Sequence, residues 1–277
     1  EEIFISDIEP TLNQTSSVEY LTCKSFYNHW FQNNVFPLDY FHNIDGDWLD
    51  QNLNIISFRE VQSLVKKLIY PVVLKPNKDS YGSKNVYFPK DYDELIGLIV
   101  NKKNVIVQER IKQHHFFEQF NNKGINTIRT NIYRSVINGQ LHLTNAVLRM
   151  GVGGSLDNET AGGIAALIKN DGRLNGFAVD KYGEKYLKHP DTGVEFDKRI
   201  PDFEGLKKIS LQIASKFFFA RLVCLDLCYD IENRWRIIEV NINEATIRFA
   251  QYHGVPFFGE FTDEVYNYCL MNHWCLK

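Results

Sequence analysis

Two carboxylates and an amide in the C-terminal third of this chain could hold a metal ion. Asp226 lies in the apolar run Leu222-Val223-Cys224-Leu225-Asp226-Leu227-Cys228. Glu239 and Asn241 follow in Arg236-Ile237-Ile238-Glu239-Val240-Asn241. Alternation along a strand points Glu239 and Asn241 to one face and Val240 to the other. A turn at Glu232-Asn233 brings Asp226 opposite them. Such hard oxygen donors on a hairpin suit Mg2+, which keeps several waters and bridges phosphates. A lone Glu-x-Asn is more often a solvated strand face. The apolar flanks on both strands favour a task here.

Two other places could act on the same kind of ligand. Lys75 ends the apolar strand Val72-Val73-Leu74-Lys75 and precedes the loop Asp79-Ser80-Tyr81-Gly82-Ser83-Lys84-Asn85. Small residues let backbone N–H groups approach phosphate oxygens, although a lysine after a strand is by itself ordinarily a solvated strand end. Val107-Gln108-Glu109-Arg110-Ile111 is a strand running into an extended connector. It could offer backbone groups to a nucleobase edge or be a plain linker.

The elements that must position these residues are legible in outline. Ser57 to Glu60 forms a capping box, and Phe58, Val61, Leu64, Val65 and Leu68 predict a helix over 58–69. Strands are expected at 72–75, 86–88 and 105–108, and a second capping box, Asp91 to Glu94, opens a helix to about Val100. Asn138-Gly139 joins two long strands, 126–137 and 140–150, as a hairpin. Residues 163–168 and 174–179 form a second pair, Asp202 caps a helix to about Phe218, and a last helix covers about 261–271. Residues 1–55, rich in aromatics and Asn, read as short helices and loops. Strands and helices mix without regular βαβ alternation, so the fold class is α+β with a mainly antiparallel larger sheet.

Composition bounds the rest. With 277 residues, the chain makes about two domains or one large domain in two lobes. Lys and Arg total 31 against 34 Asp and Glu, a net charge of −3 that lacks the field of a general nucleic-acid binder. No apolar stretch reaches a membrane span; the densest run, Phe217 to Leu225, contains Arg221. No leader pattern is read at the start, and the first residue is Glu, so the expectation is of a trimmed or excised piece. The cysteines, Cys23, Cys224, Cys228, Cys269 and Cys275, are odd in number and read as buried thiols in a reducing cytoplasm. Zinc at Cys224 and Cys228 would need two further ligands nearby.

In their order, the strand lysine, the small-residue loop, the Gln-Glu connector and Asp226 with Glu239-x-Asn241 resemble the ATP-grasp superfamily over about residues 57–255. Asn126-Thr127-Ile128-Arg129, the stretch from Arg149 to Gly163 and His189-Pro190-Asp191-Thr192-Gly193 followed by Ile200-Pro201 resemble the sugar-transfer-associated ATP-grasp family, which is related to α-L-glutamate ligase-like proteins. The resemblance implies two α+β lobes clasping ATP: an irregular or helical segment at 1–56, a small lobe at 57–112 and a large lobe with the metal site at 113–277.

The resemblance also implies roles. Lys75 holds the α/β-phosphates, and Ser80, Gly82 and Ser83 belong to the covering loop. Gln108, Glu109 and Ile111 form the adenine connector. Asp226, Glu239 and Asn241 hold Mg2+, and Arg129 and Arg149 face the γ-phosphate or an acyl-phosphate. The loop has fewer glycines than the family; Asn85 falls where glycine is common. Asp157, Asn158 and His189 either line the acceptor site or cap turns, and His114-His115 either touch ribose or lie on the surface. The implied activity is a Mg-ATP-dependent carboxylate–amine ligase acting through an acyl-phosphate, on a sugar acid, an amino acid or a surface-polysaccharide precursor. Its implied partners are a small-molecule or glycan-precursor substrate and glycan-synthesis enzymes. A kinase of the same fold and a non-catalytic nucleotide-binding module of polysaccharide synthesis are the alternatives.

Overall fold

A computed structural model describes residues 5–13, 15–31, 34–78, 85–154, 162–243 and 245–273. The chain divides into two units, Cys23–Lys112 and the pair of segments Glu1–Thr22 and Gln113–Lys277. Helices α1 (Ile5–Leu12) and α2 (Thr15–Val18) open the chain and belong to the larger unit.

The smaller unit follows with α3 (Tyr27–Phe31), β1 (Asp39–Ile44), β2 (Asp47–Asp50), α4 (Phe58–Val65), β3 (Val72–Pro76), α5 (Tyr92–Ile99) and β4 (Val105–Glu109). Its sheet runs β2-β1-β4-β3, antiparallel throughout. Residues 1–55 were expected to be short helices and loops. Instead 39–50 form a hairpin that pairs with the connector strand, and residues 1–56 do not stay one segment. Its turn holds Asp45 at φ 53° and Gly46 at φ 105°. One sheet face, with Phe41, Val72, Leu74, Val105 and Val107, packs with Val61 and Val65 of α4 and Leu95 and Ile99 of α5.

The Ser57 capping box forms, with Ser57 N donating to Glu60 Oε2 at 2.7 Å. The helix it opens stops at Val65 rather than 69, because Lys67 and Leu68 turn to i−3 carbonyls and tighten the last turn. At α5, Asp91 accepts from Glu94 N at 2.9 Å, but the Glu94 carboxylate reaches Lys90 N, one residue before the donor of a capping box. The strand expected at 86–88 reduces to a single bridge between Leu74 and Tyr87.

The larger unit continues with α6 (His115–Glu118), β5 (Thr127–Arg134), β6 (Leu141–Met150), β7 (Ile164–Ile168), β8 (Ala178–Val179), β9 (Lys185–Tyr186) and α7 (Phe203–Ala214). Then come β10 (Leu222–Tyr229), β11 (Trp235–Asn241), α8 (Arg248–Tyr252) and α9 (Thr262–Met271). Its sheet runs β11-β10-β5-β6-β7-β8-β9, every pairing antiparallel. The expected strand at 174–179 shrinks to β8 plus a bridge from Leu174 to Ile168. Asp202 caps α7, which ends at Ala214 rather than near 218. Helix α7 packs on β5 and β6, with Thr130 Oγ1 3.2 Å from Ser210 Oγ. The other sheet face carries Val147, Ala165 and Leu167 against Phe249 of α8. Among the described residues no helix is long and apolar enough to cross a membrane.

Candidate functional site

The register of the larger sheet gathers the residues singled out from the sequence. Asp226 on β10 pairs with Glu239 on β11 and, on its other side, with Arg129 on β5. Arg129 pairs with Val147, two residues before Arg149 on β6. Paired residues share a face, as do residues two apart. Arg149, Arg129, Asp226 and Glu239 therefore lie on one face of the sheet, opposite α7. Asn241 joins them two residues beyond Glu239. The register shifts between Asp226 and Leu227, which pair with Glu239 and Ile237, the mark of a bulge in β11 at this point. Bulges re-aim side chains beside functional sites.

The charges are tightly matched. Arg129 Nε donates to Asp226 Oδ1 at 2.8 Å and Arg129 Nη2 to Asp226 Oδ2 at 2.7 Å. Arg149 Nη1 reaches the same Oδ2 at 3.2 Å. Burial pushes the Asp226 carboxyl up, but the two guanidinium charges outweigh it and hold the group at about 2, so it is ionised at neutral pH. Burial pulls Arg129 down, and the Asp226 charge more than restores it. Thr246 Oγ1 accepts from Arg129 Nη1 at 3.3 Å. Thr246 and Arg129 lie 117 positions apart, so no local pattern connects them. The two arginines, expected to face phosphate, each carry at least one bond to Asp226.

The donor set fits a divalent cation. An ionised carboxylate offers about four lone-pair sites, and the arginines use three on Asp226, leaving room on Oδ1. The Asn241 Nδ2 is buried without a hydrogen-bond partner among the described residues, which leaves that amide free to turn its oxygen to a ligand. Among the described residues no three His, Cys, Asp or Glu side chains converge. A cation here would rest on two carboxylates and one amide, the set that suits Mg2+ keeping its waters.

In the smaller unit, Lys75 is buried on β3 and pairs with Ile106, which also pairs with His42. Gln108 pairs with Asp39 and Val73, so Lys75, Gln108, Asp39 and His42 share the sheet face away from α4 and α5. Gln108 Nε2 donates to Asp39 Oδ1 at 2.7 Å. Its amide is thus engaged inside the unit. Glu109 Oε1 accepts from Leu38 N at 2.9 Å, and Glu109 N donates to Leu38 O. Ile111 is buried. Burial lifts the Asp39 carboxyl to about 6 against the Gln108 bond and the Lys75 charge. Asp39 went unnoticed in the sequence because its strand did; the turn pair Asp45-Gly46 was the available signal.

Ser80, Gly82 and Ser83, like Asp157 and Asn158, lie outside the described residues. Asn85 does take left-handed backbone, at φ 61°. His189 is buried rather than solvated: Nε2 lies 3.1 Å from Gly151 O, and Nδ1 accepts from Asp191 N. Asp191 Oδ2 in turn accepts from Gly153 N at 2.6 Å, so the His-Pro-Asp turn is docked on residues 151–153. His114 caps α6, accepting from Phe116 N at 3.1 Å. Cys23, Cys224 and Cys228 are buried, as expected, whereas Cys269 is only half-buried; Cys275 lies outside the described residues.

The fold recurs in solved structures. The chain aligns with an N5-carboxyaminoimidazole synthetase from Staphylococcus aureus at TM-score 0.50 and 10% identity, covering 88% of this chain and 51% of that one. An L-amino acid ligase from Bacillus licheniformis aligns at TM-score 0.49 and 13% identity, covering 86% and 44%. The ATP-grasp ligase PsnB, solved with Mg and ADP, aligns at 0.49 and 12%, covering 91% and 60%. The chain therefore spans about half the length of these structures, and at such identities the likeness is one of fold alone. No curated protein matches the chain. The family model described as sugar-transfer associated ATP-grasp matches residues 90–255, more than half of the sequence and the stretch that carries Arg129, Arg149, Asp226, Glu239 and Asn241, and the chain belongs to that family.

Proposed function

We propose that this protein is a Mg-ATP-dependent carboxylate–amine ligase. The observation that supports this best is the single sheet face bearing Asp226 opposite Glu239, Asn241 two residues on, and Arg129 and Arg149 alongside. Asp226, Glu239 and Asn241 would hold Mg2+, which neutralises phosphate charge when bound. Phosphoryl transfer depends on positioned positive charge more than on covalent help. Arg149, and the Arg129 Nη1 that meets Thr246, extend that charge along the face. Lys75 is proposed to bind nucleotide phosphates, and the Gln108–Ile111 connector adenine.

In the proposed reaction a substrate carboxylate oxygen attacks the γ-phosphorus and ADP leaves. An amine then attacks the acyl carbon, inorganic phosphate leaves and an amide forms. The proposed substrate is a sugar acid, an amino acid or a surface-polysaccharide precursor, with glycan-synthesis enzymes as partners and the cytoplasm as location; the description of the family as sugar-transfer associated is what suggests glycan chemistry. Incubation with Mg-ATP and a panel of acids and amines tests this. Substrate-dependent ADP release with a product mass equal to an amide supports it. A product heavier by one phosphate indicates a kinase, and nucleotide binding without turnover indicates a non-catalytic module.

A further inference from the structure

Helix α1 and the residue just after it reach across the sequence to the strands that carry the candidate cation ligands. Asn13 is 1% exposed and its amide is fully engaged. Its Oδ1 accepts from Arg221 N at 2.8 Å and Leu222 N at 2.9 Å. Its Nδ2 donates to Leu222 O at 2.9 Å and to Ile242 O at 2.5 Å. Glu9 is buried within α1, and its Oε1 accepts from Ala245 N at 2.6 Å.

These contacts fall at telling places. Leu222 opens β10, the strand of Asp226, and Ile242 directly follows Asn241, the last residue of β11. Thr246 follows Ala245 and meets Arg129, which grips Asp226. Beyond Asn241, Ile242 is thus fastened by Asn13 and Ala245 by Glu9. A strand end of this kind frays when its next carbonyl lacks a partner. Asn13 supplies that partner from more than two hundred residues away. Neither Glu9 nor Asn13 falls within residues 90–255.

We propose that Glu9 and Asn13 are positioning residues that hold Asn241, Ile242, Ala245 and Thr246 in place beside Asp226 and Glu239, so that a divalent cation and its nucleotide bind together. The proposal rests on the reading of Asp226, Glu239 and Asn241 as the cation site. It makes α1 a working part of that site rather than a brace of the fold alone. A brace affects all ligands alike, whereas a positioning residue acts on the cation-dependent part of binding.

Calorimetry with a non-hydrolysable ATP analogue, with Mg2+ and separately in EDTA, tests this on the full chain. Asn13→Asp keeps its acceptor oxygen but turns the donor facing Leu222 O and Ile242 O into an acceptor. It is expected to raise the Mg2+ concentration for half-maximal nucleotide binding about ten-fold, with affinity in EDTA kept within about two-fold. Glu9→Ala is expected to act in the same direction, and Glu9→Gln, which keeps an oxygen for Ala245 N–H, to recover most of the loss. The Glu9 pair decides the matter if Asn13→Asp does not fold. Unchanged Mg2+ dependence, or equal weakening with and without Mg2+, overturns the proposal alone. A parent chain without Mg2+-dependent nucleotide binding, or one whose binding is unaffected by Asp226→Asn, overturns the cation-site reading and this proposal with it.

Discussion

Arg129 and Asp226 stand directly opposite each other on β5 and β10, and the guanidinium takes both carboxylate oxygens, at 2.8 and 2.7 Å. With Arg149 on the same Oδ2, one buried anion is shared by two cations. The arrangement fixes the carboxylate's plane and keeps it ionised. Breaking a buried pair costs far more than the pair contributes, because the leftover charge stays buried. Asp226→Ala strands two guanidinium groups and is expected to lower the unfolding free energy by about 3–5 kcal/mol in urea titrations. A loss under about 1 kcal/mol would show that water or another group already compensates the arginines.

Lys75 and Glu239 should separate binding from turnover. Lys75→Ala is expected to weaken nucleotide binding by about ten-fold or more, because a positive charge near phosphate acts in ground and transition states alike. Glu239→Gln keeps the side-chain shape but removes a charge, and is expected to lower kcat about a hundred-fold with a smaller change in KM. Steady-state kinetics with each variant checks both. Parent-like values in either variant would remove that residue from the proposed site.

The polar face of the smaller sheet should show itself in acid. Burial raises Asp39 from 3.8 to about 6 and lowers His42 from 6.5 to about 4; the two side chains lie 3.9 Å apart. As pH rises from about 4 to 6, the unfolded chain gives up the Asp39 proton first, so the fold loses stability. As pH falls from about 6.5 to 4, the unfolded chain takes the His42 proton first, and the fold loses stability again. The two slopes oppose each other. Asp39→Asn should leave stability rising with pH across this window, and His42→Gln should leave it falling, each by on the order of 3 kcal/mol. Denaturant titrations between pH 4 and 7 decide it; identical slopes in both variants would refute the assignment.

Asp202 combines a stabilising cap with a backbone cost, and substitution can separate them. Its side chain accepts from Gly205 N at 3.2 Å to cap α7, while its backbone sits in the left-handed region at φ 44°. Asp202→Gly loses the cap but relieves the backbone. Asp202→Ala loses the cap and keeps the strain, so it should be the less stable variant by about 1 kcal/mol in thermal or urea unfolding. Equal stabilities would mean the backbone relaxes.

Local rules made several elements legible. The capping box at Ser57, the cap at Asp202 and the alternation around Glu239 each depend on residues a few positions apart and appear in the fold; the hairpin around Asn138-Gly139 forms too, but its first strand ends at Arg134 and its connection spans 135–140. Helix ends drifted by several residues because tertiary packing, not periodicity, sets where a last turn tightens. The hairpin at 39–50 was missed although Asp45-Gly46 marks its turn, because aromatic-rich strands beside irregular sequence show weak alternation.

By itself, then, the sequence determined which residue types were available for phosphate and cation chemistry, their order along the chain and the α+β class. Only the tertiary structure decided that Arg129 and Arg149 meet Asp226, that Asp39 takes the amide of Gln108, and that Asn13 closes on Ile242. Those pairings join residues 69 to 229 positions apart. No local periodicity reaches that far. They follow from strand order and register, which the burial of whole sheet faces selects.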